Sequence, residues 1–233
     1  MKVSGVEIEV IKKDIKNMHL SVLPPSGKVR ISAPLSANDE MIKLFVITKV
    51  GWIRKQIEKF ENQQRQSERE YVSGESHYLW GKRYKLELKY TKTVNKIEVK
   101  ANKIILSIRE ENTVQQREKT MNEFYRAELK SKLPAMINKW ENIIGVKTNS
   151  FGVKNMRTRW GTCNAKDKRV WINLQLAKKP LNCLEYIVVH ELVHLLEKNH
   201  NSVFIGYMDK FLPDWRVIKD ELNSFIMDRY IEE

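Results

Sequence analysis

The hydrophobic residues of this chain change from alternating to helical spacing and back along its length. Residues 3–10 alternate apolar with polar side chains, and the stretches His19–Leu23 and Lys28–Ser32 flank the turn-forming segment Pro24–Gly27. A period of two is typical of half-buried strands, and proline and glycine mark the turns between them. This first stretch therefore predicts short β-strands.

Two longer segments have apolar residues at helical spacing. The first is Met41–Phe60, which passes into the charged, Gln-rich run Glu61–Glu70, either the solvated end of the helix or a linker. The second is about Val114–Ile144, where Gly145 is placed to end the helix. Pro134 lies inside the second segment and predicts a kink or two helices there.

Short β segments separate the predicted helices, and further helices follow. The strand-like stretches are Tyr71–Val72, Tyr78–Trp80, Tyr84–Leu88, Lys96–Val99, Ile104–Ile108, Asn149–Val153, Thr158–Cys163 and Val170–Leu174. Pro180 and Asn182 predict a helix start, with Glu185 in capping-box register to Asn182. The residues that follow are broadly apolar on all sides, which predicts a helix deep in the protein. Two more helices are predicted at about Ser202–Leu212 and Asp214–Tyr230.

The predicted buried helix carries the sequence His190-Glu191-Leu192-Val193-His194. Two histidines four residues apart project from one helix face, about 6 Å apart along the axis, so both imidazoles can bind one metal ion. Glu191 is near enough to deprotonate a water held by that ion without being a ligand itself. This is the pattern of zinc peptidases. Two histidines and a carboxylate on a buried helix would be costly without a metal.

A catalytic zinc site takes a third protein ligand and keeps one position open. His200 follows His194 by six residues, and a continuous helix would rotate it by about 600°, away from the metal-binding face. A helix break is therefore predicted at Lys198–Asn199, because asparagine tolerates the left-handed conformation that ends helices. His200 is the predicted third ligand, and the alternatives are the downstream carboxylates Asp209, Asp214 and Glu221. The isolated His19 and His77 are predicted to be core residues.

The motifs of the C-terminal half resemble those of a known protease family. In chain order they are Met156-Arg157-Thr158-Arg159-Trp160-Gly161-Thr162-Cys163, Ile172-Asn173-Leu174, the histidine motif, His200 and Pro213-Asp214-Trp215-Arg216. Their order and spacing resemble the YgjP-like metallopeptidases. The N-terminal half also resembles the looser pattern of that family, at Gly51-Trp52-Ile53, Gly74-Glu75 and Trp80-Gly81-Lys82. The resemblance thus covers nearly the whole chain.

The elements and the resemblance together predict an α+β protein. A β-rich N-terminal domain with one long helix, residues 1–112, is expected to pack on a zincin-like metallopeptidase domain with a short mixed sheet, residues 113–233. The resemblance implies a zinc-dependent metalloendopeptidase, related to the SprT-like and WLM-domain proteases that act on proteins attached to DNA. It assigns His190, His194 and His200 to Zn²⁺ and Glu191 to catalysis.

The expected reaction is hydrolysis of a peptide bond in a protein or peptide substrate. Zinc would polarise the scissile carbonyl and lower the pKa of its bound water, and Glu191 would take the water proton and later deliver it to the leaving amine. This role for Glu191 is the reason the enzyme is preferred over a purely structural metal site, which has no use for a carboxylate beside its ligands.

Further residues are predicted to hold the substrate. An edge strand beside the active-site helix lets an extended peptide add as another strand, and either of the last two predicted strands could supply it, with Gly161 allowing close backbone approach. Arg159 is predicted either to bind a substrate carbonyl or carboxylate or to pair with a carboxylate that holds its loop. Tyr207 and Arg216 are alternative groups that could stabilise the oxyanion of the transition state.

Basic residues are concentrated in the first part of the chain. Lysine and arginine number 42 against 29 aspartates and glutamates, a formal net charge of +13; residues 1–170 carry +16 and residues 171–233 carry −3. Such a region is either a solubilising surface or a contact for a polyanion. The second interpretation predicts nonspecific DNA contact. The alternative function is a binding module in which the metal is structural and the basic region docks nucleic acid or a protein.

Membrane and export signals are missing from the sequence pattern. No stretch approaches the roughly 18 consecutive apolar residues of a membrane span, and the first ten residues lack an apolar signal-peptide core. Two cysteines, Cys163 and Cys183, exclude a disulfide framework and are predicted to be free thiols. These features predict a cytoplasmic protein without membrane contact.

Overall fold

The computed structural model describes residues 1–23, 27–61, 69–93, 95–156 and 158–224, without the side chains of 59–61. The chain divides after residue 67 into two compact units. Each unit combines helices with at least one sheet around a hydrophobic core of its own. The protein is therefore of the mixed α+β class that the sequence predicts.

The first unit is a four-stranded sheet packed against two helices. Its elements are β1 (Lys2–Val3), β2 (Val6–Lys13), β3 (His19–Leu23), β4 (Lys28–Pro34), α1 (Asp39–Ile47) and α2 (Val50–Glu61). The strand order is β1-β2-β4-β3, with β2 parallel to β4 and the other pairs antiparallel. Val29 and Ile31 of the sheet share a buried cluster with Ile42, Val46 and Ile53 of the helices, which gives this unit its core.

The segment predicted as one helix, Met41–Phe60, forms the two helices α1 and α2. Helix α1 ends at Thr48, whose Oγ1 donates a hydrogen bond to the Phe45 carbonyl oxygen at 2.7 Å. Such a hydroxyl competes with the hydrogen bonds of the helix, and the spacing of apolar residues does not report it. Most of the predicted turn Pro24–Gly27 and of the charged run Glu61–Glu70 lies outside the described residues.

The second unit packs two sheets and the helices α3 to α6 around one core. Its elements are β5 (Ser76–Leu79), β6 (Lys82–Tyr90), β7 (Lys96–Lys100), β8 (Lys103–Ile108), α3 (Val114–Ile144), β9 (Ser150–Lys154), β10 (Gly161–Asn164), β11 (Arg169–Asn173), a 3-10 helix (Leu174–Lys178), α4 (Leu181–Val193), α5 (Ser202–Phe211) and α6 (Trp215–Ser224). One sheet has the order β5-β6-β8-β7 and the other β10-β11-β9. In the smaller sheet β11 runs parallel to β9 and antiparallel to β10.

Helix α3 confirms the long helix predicted at Val114–Ile144. It begins with a capping box, in which Thr113 Oγ1 accepts from the Gln116 N–H and Gln116 Oε1 accepts from the Thr113 N–H. Gly145 ends it in the left-handed conformation, with φ of 80°. Pro134 lies inside one continuous helix, so the alternative of two helices is wrong.

The core of the second unit joins residues from both of its sheets. Leu106 on β8, Leu133 on α3, Ile172 on β11 and Val188 on α4 belong to one fully buried cluster. The boundary predicted after residue 112 falls inside this unit, between β8 and α3. The division into domains 1–112 and 113–233 thus differs from the compact units and stays a prediction. Among the described residues, none of the helices combines the length and apolar character of a membrane span.

Candidate metal centre

Helix α4 and its C-cap His194 contain the histidine motif. Most of its residues are buried, among them Val188 and Leu192, as its apolar sequence predicts. Its N-cap is Pro180, without a side-chain hydrogen bond, so the capping box predicted from Asn182 and Glu185 does not form. The packing of α4 on all sides therefore holds this helix in place, since no side-chain cap contributes.

Helix α4 ends earlier than the sequence predicts. Val193 is its last residue and His194 its C-cap, whereas the break was expected at Lys198–Asn199. The backbone N–H groups of residues 195–197 donate to carbonyl oxygens three or four residues back, which tightens the last turn. The expected position of the break is therefore wrong, although a break does occur between His194 and His200.

Three imidazoles converge where the chain leaves α4. The ring centroids of His190, His194 and His200 are 4.7, 4.8 and 4.9 Å apart in the three pairs. Their ligand atoms all lie within 4.8 Å of one another, and the Nε2 atoms of His190 and His200 are 3.0 Å apart. Two nitrogens that bind one tetrahedral zinc ion lie about 3.3 Å apart. The cluster thus has the dimensions and the donor atoms of a metal site.

Hydrogen bonding and burial favour the neutral, metal-binding form of His190 and His194. His194 Nδ1 lies 3.1 Å from the carbonyl oxygen of Glu197, which can only accept, so Nδ1 carries the proton and Nε2 stays available as a ligand. Burial, with a contribution from the neighbouring imidazoles, lowers the pKa of His190 to about 3. Burial also lowers the pKa of His194. Neutral imidazole is the form that binds metal ions in proteins.

Phe204 is a residue of this site that the sequence analysis missed. Its ring is 2% exposed, and its centroid lies 5.0, 4.7 and 4.7 Å from those of the three histidines. Asn201 places it, because this N-cap of α5 accepts hydrogen bonds from the N–H groups of Val203 and Phe204. An asparagine just before an apolar helical segment is a recognisable cap, but the sequence does not show what the capped helix contacts.

The carboxylate of Glu191 is buried against strand β10. It is 4% exposed, and a Cβ atom added to Gly161 would lie 2.6 Å from its Oε1. Glycine at position 161 therefore leaves the room that the carboxylate occupies, whereas the sequence analysis assigned that room to a substrate backbone. Burial raises the pKa of Glu191 to about 8, and the Arg159 guanidinium acts in the opposite direction, as any bound cation would.

Strand β10 is one of the two edge strands of the smaller sheet. The strand order β10-β11-β9 leaves one side of β10 without a partner among the described strands, while β11 is paired on both sides. Of the two strands considered for binding an extended peptide, only β10 has a free edge. The later strand, Val170–Leu174 in the sequence analysis, is therefore excluded.

The side chains of Arg159 and Tyr207, both predicted to bind the substrate, differ in burial and in their contacts. Arg159 is exposed and forms no ion pair with the described residues, so the expectation that it pairs with a carboxylate to hold its loop is not met. Tyr207 is half-buried on α5 and stacks against Phe211, with ring centroids 6.1 Å apart. Arg159 thus keeps its hydrogen-bond donors for other partners.

Two of the three carboxylates considered as alternative third ligands, Asp209 and Glu221, are engaged elsewhere, and Asp214 is not part of the converging group. Asp209 accepts from the Trp215 Nε1–H at 2.7 Å and pairs with Arg216 through both of its oxygens. That ion pair lowers the pKa of Asp209, and it leaves Arg216 occupied. Glu221 accepts from Asn182 Nδ2 at 3.0 Å. Within the part of the chain that the structure describes, the three histidines are the only such group with converging ligand atoms.

The two isolated histidines are not part of this cluster. His77 is 1% exposed on β5, with its Nε2 3.1 Å from Glu75 Oε2, which confirms the expected core histidine with a hydrogen-bond partner. His19 is exposed at the start of β3, an edge strand of its sheet. The expectation of a core residue is wrong there, because an edge strand that is only partly covered leaves its first side chain in solvent.

Comparisons with known proteins identify one family and two similar solved structures. The family model of the YgjP-like metallopeptidase domain matches residues 16–225. No curated protein sequence matches the chain. Among solved structures, the chain is similar to the metallopeptidase zymogen of abylysin from Pyrococcus abyssi, with 16% identity, 42% of this chain and 98% of that chain covered, and a TM-score of 0.38. It is also similar to the zymogen of jannalysin from Methanocaldococcus jannaschii, with 18% identity, coverage of 40% and 95%, and a TM-score of 0.37.

The match to the family model extends over most of the sequence, from β3 to the end of the described residues. It includes the helix α4 and the turn that carry the three histidines. The family implies a divalent metal ion, and the three converging imidazoles described above fit one. This chain belongs to the YgjP-like metallopeptidases.

Proposed function

We propose that this protein is a zinc-dependent metalloendopeptidase that cleaves protein substrates, with His190, His194 and His200 as metal ligands and Glu191 as general base. The observation that carries the proposal is the convergence of three imidazoles, together with the buried carboxylate of Glu191, which follows the ligand His190 in helix α4. Zinc is proposed because catalytic zinc sites take three protein ligands, often imidazoles, whereas Mg²⁺ and Ca²⁺ prefer oxygen ligands. A zincin-like arrangement of the C-terminal domain is part of the same proposal.

A divalent ion held by the three imidazoles supplies a Lewis acid that activates water and polarises a carbonyl group. The chain's own contribution to the reaction is proton transfer by Glu191. Its carboxylate oxygen accepts a proton from the attacking water as the water oxygen bonds to the carbonyl carbon. The same oxygen then gives that proton to the amine nitrogen as the C–N bond breaks. Atoms and charge balance with one water consumed per peptide bond.

Strand β10 is the proposed binding edge for the substrate backbone, which would add as a further strand. The backbone N–H of Asn173 donates to the Trp160 carbonyl oxygen at 2.9 Å. Hydrogen bonds alternate along an antiparallel pair, so the backbone groups of Gly161 and Cys163 are expected to face the free edge. A peptide bound there would lie beside the carboxylate of Glu191, which contacts Gly161.

Two side chains are proposed to contact the substrate directly. Arg159 is proposed to bind a carbonyl or carboxylate, because it is exposed and unpaired among the described residues. Tyr207 is proposed to donate to the oxyanion of the transition state, in preference to Arg216, which is paired with Asp209. These assignments follow from which donors are available.

Nonspecific DNA contact is a separate proposal, which concerns the basic part of the chain. Several lysines there are paired with glutamates: Lys103 with Glu87, and Lys96 and Lys100 with Glu98. Such pairs reduce the charge available to a polyanion, so the proposal depends on the remaining basic residues. The cytoplasmic location expected from the sequence is likewise kept as a proposal.

Zinc content and metal-dependent proteolysis test the proposed function. The purified protein is expected to carry about one zinc per chain and to cleave unfolded casein at internal bonds. Chelation should abolish cleavage, and one equivalent of zinc should restore it. Cleavage that persists after complete removal of metal would contradict the proposal. A zinc-loaded protein that cleaves neither free nor DNA-bound proteins would favour the metal-stabilised binding module.

A further inference from the structure

We propose that Asn173, the last residue of β11, is a positioning residue that holds the loop between β9 and β10. It thereby places Gly161 against Glu191 and Arg159 for its proposed contact with the substrate. The inference rests on the peptidase function proposed above. Asn173 is fully buried, with 0% of its surface exposed. It lies in the motif Ile172-Asn173-Leu174, for which the proposed catalytic steps give no role.

All polar atoms of the Asn173 side chain are hydrogen-bonded to the backbone. Its Nδ2 donates to the carbonyl oxygens of Met156 and Arg159, at 2.9 and 2.6 Å. Its Oδ1 accepts from the N–H groups of Met156 and Gln175, at 3.3 and 3.1 Å. One amide thus binds both ends of the segment 156–159 and caps the following 3-10 helix.

Two neighbouring hydrogen bonds extend this attachment to Asn155 and Trp160. The backbone N–H of Asn173 donates to the Trp160 carbonyl oxygen at 2.9 Å. Gln175 Nε2 donates to Asn155 Oδ1 at 3.0 Å. The described residues of this loop belong to no helix or strand, so hydrogen bonds from the end of β11 replace those of regular secondary structure.

The loop leads directly into the closest contact of the site. A Cβ atom at Gly161 would lie 2.6 Å from Oε1 and 2.7 Å from Cγ of Glu191, so a movement of about 1 Å would press the strand against the carboxylate or separate them. Arg159, proposed above to bind the substrate, belongs to the attached segment. Displacements of this size can lower rates by about 100-fold. Asn173 would therefore affect the reaction through the loop, without contacting the substrate.

Two variants of Asn173 and one control test the proposal. Asn173→Ser keeps a hydroxyl that can cap the 3-10 helix but is too short to bridge Met156 and Arg159. Asn173→Asp keeps the acceptor and lacks the donors. Asn95→Asp is the matched control, because Asn95 Nδ2 donates to Thr120 Oγ1 at 3.2 Å, outside the proposed site and its substrate-binding edge. It makes the same chemical change away from the loop.

The expected result is a loss of catalysis in a folded, zinc-loaded protein. Both Asn173 variants should bind about one zinc and lose about 10- to 100-fold in kcat/KM on labelled casein, mainly in kcat. Amide hydrogen exchange should rise in residues 155–164 and stay unchanged in α4. Asn95→Asp should stay within about twofold of the wild type. A residue that only stabilised the fold would lower the melting temperature and leave kcat unchanged.

A double-mutant cycle identifies the residue through which Asn173 acts. If it positions Arg159, Asn173→Ser should cost less in the Arg159→Ala background than in the wild type. Strict additivity together with an unchanged exchange rate in residues 155–164 would overturn the proposal. So would a folded, zinc-loaded Asn173→Ser with wild-type kcat, or failure of both variants to fold, which would make the residue structural. An inactive wild type with full zinc would instead contradict the proposed function, and this inference would fall with it.

Discussion

At the residue scale, the three histidines are oriented by different means. His194 is held by the hydrogen bond from its Nδ1 to the Glu197 carbonyl oxygen. His190 is held by packing, because its buried Nδ1 has no hydrogen-bond partner among the described atoms and its ring contacts Phe204. His200 is exposed, and its ring packs on Phe204 from a turn outside the helix. A ligand that is already oriented loses less freedom on binding, so His200 is expected to contribute least to affinity.

Removal of His190 or His194 should therefore weaken zinc binding more than removal of His200. His190→Ala and His194→Ala should abolish stoichiometric zinc, and His200→Ala should weaken binding by at least 10- to 100-fold, the cost of losing even an outer-shell partner. Elemental analysis and competition with a chelating dye measure this, with His19→Ala as the control because His19 is exposed on β3. Full zinc affinity in His200→Ala would transfer the third-ligand role to a carboxylate.

A methyl group at position 161 should disturb the proposed base without removing the metal. In Gly161→Ala the new Cβ would lie 2.6 Å from Glu191 Oε1, so the carboxylate or the strand must move. We expect kcat/KM on casein to fall by about 10- to 100-fold with zinc content unchanged. Gly206→Ala is the control, because a Cβ there meets nothing within 4 Å. Wild-type kcat/KM in Gly161→Ala would show that this contact does not matter.

The sequence predicts the histidines better than their surroundings. His190 and His194 can be paired from their spacing because they lie on one helix face, and His200 follows within a few residues. The ring of Phe204 and the gap at Gly161 depend on packing between elements that are distant in the sequence. Neither composition nor periodicity reports which side chain will fill such a gap.

At the element scale, the site depends on the connection between α4 and α5. Helix α4 supplies His190 and ends at His194, and α5 supplies Phe204 immediately after its N-cap Asn201. His200 lies in the connection between the two helices. The position of the imidazoles relative to Phe204 is therefore set by how the first turn of α5 is held.

Loss of the α5 cap should weaken both folding and zinc binding. Asn201→Ala removes the acceptor for two N–H groups and should lower the free energy of unfolding by about 1 kcal/mol. Zinc affinity should fall as well, because the capped turn holds Phe204. Asn38→Ala is the matched control, since Asn38 caps α1 in the other compact unit; it should cost similar stability at unchanged zinc affinity. If both variants bound zinc with equal affinity, the α5 cap would not contribute to zinc binding.

Helices and strands are predicted correctly where the apolar pattern continues over many residues. The prediction fails where local hydrogen bonds determine the residue at which an element begins or ends. Helix α3 is predictable because its apolar pattern continues over 31 residues. The division between α1 and α2 depends on Thr48, and the early end of α4 on its tightened last turn. Strand β10 begins at Gly161 rather than at Thr158, because Asn173 binds the backbone of the preceding loop. None of these hydrogen bonds changes the pattern of apolar residues.

At the scale of the whole molecule, charge is the property that the fold does not explain. The formal net charge is +13, and the excess lies in residues 1–170. The structure pairs part of it with glutamates on β6 and β7. Exposed pairs of this kind contribute little to stability, so the excess of lysine and arginine is better examined as a contact surface.

DNA binding, if it occurs, should be independent of sequence and steeply dependent on salt. Contact with about four phosphates would lower affinity by about 100-fold between 50 and 200 mM salt, because condensed counterions are released on binding. Fluorescence anisotropy with two unrelated duplexes of equal length measures both properties. Flat affinity over this range, or no binding at low salt, would leave the basic region as a solubilising surface.

The central claim is that Glu191 is the general base of a zinc peptidase, and Glu191→Gln tests it most directly. The amide keeps the shape of the carboxylate and removes its basicity, while zinc content and folding should survive because Glu191 is not a proposed ligand. Cleavage of unfolded protein should fall by about 10²- to 10⁴-fold. Glu185→Gln, the same change on the same helix, should cleave like the wild type. Equal cleavage by Glu191→Gln and the wild type at equal zinc would contradict the account.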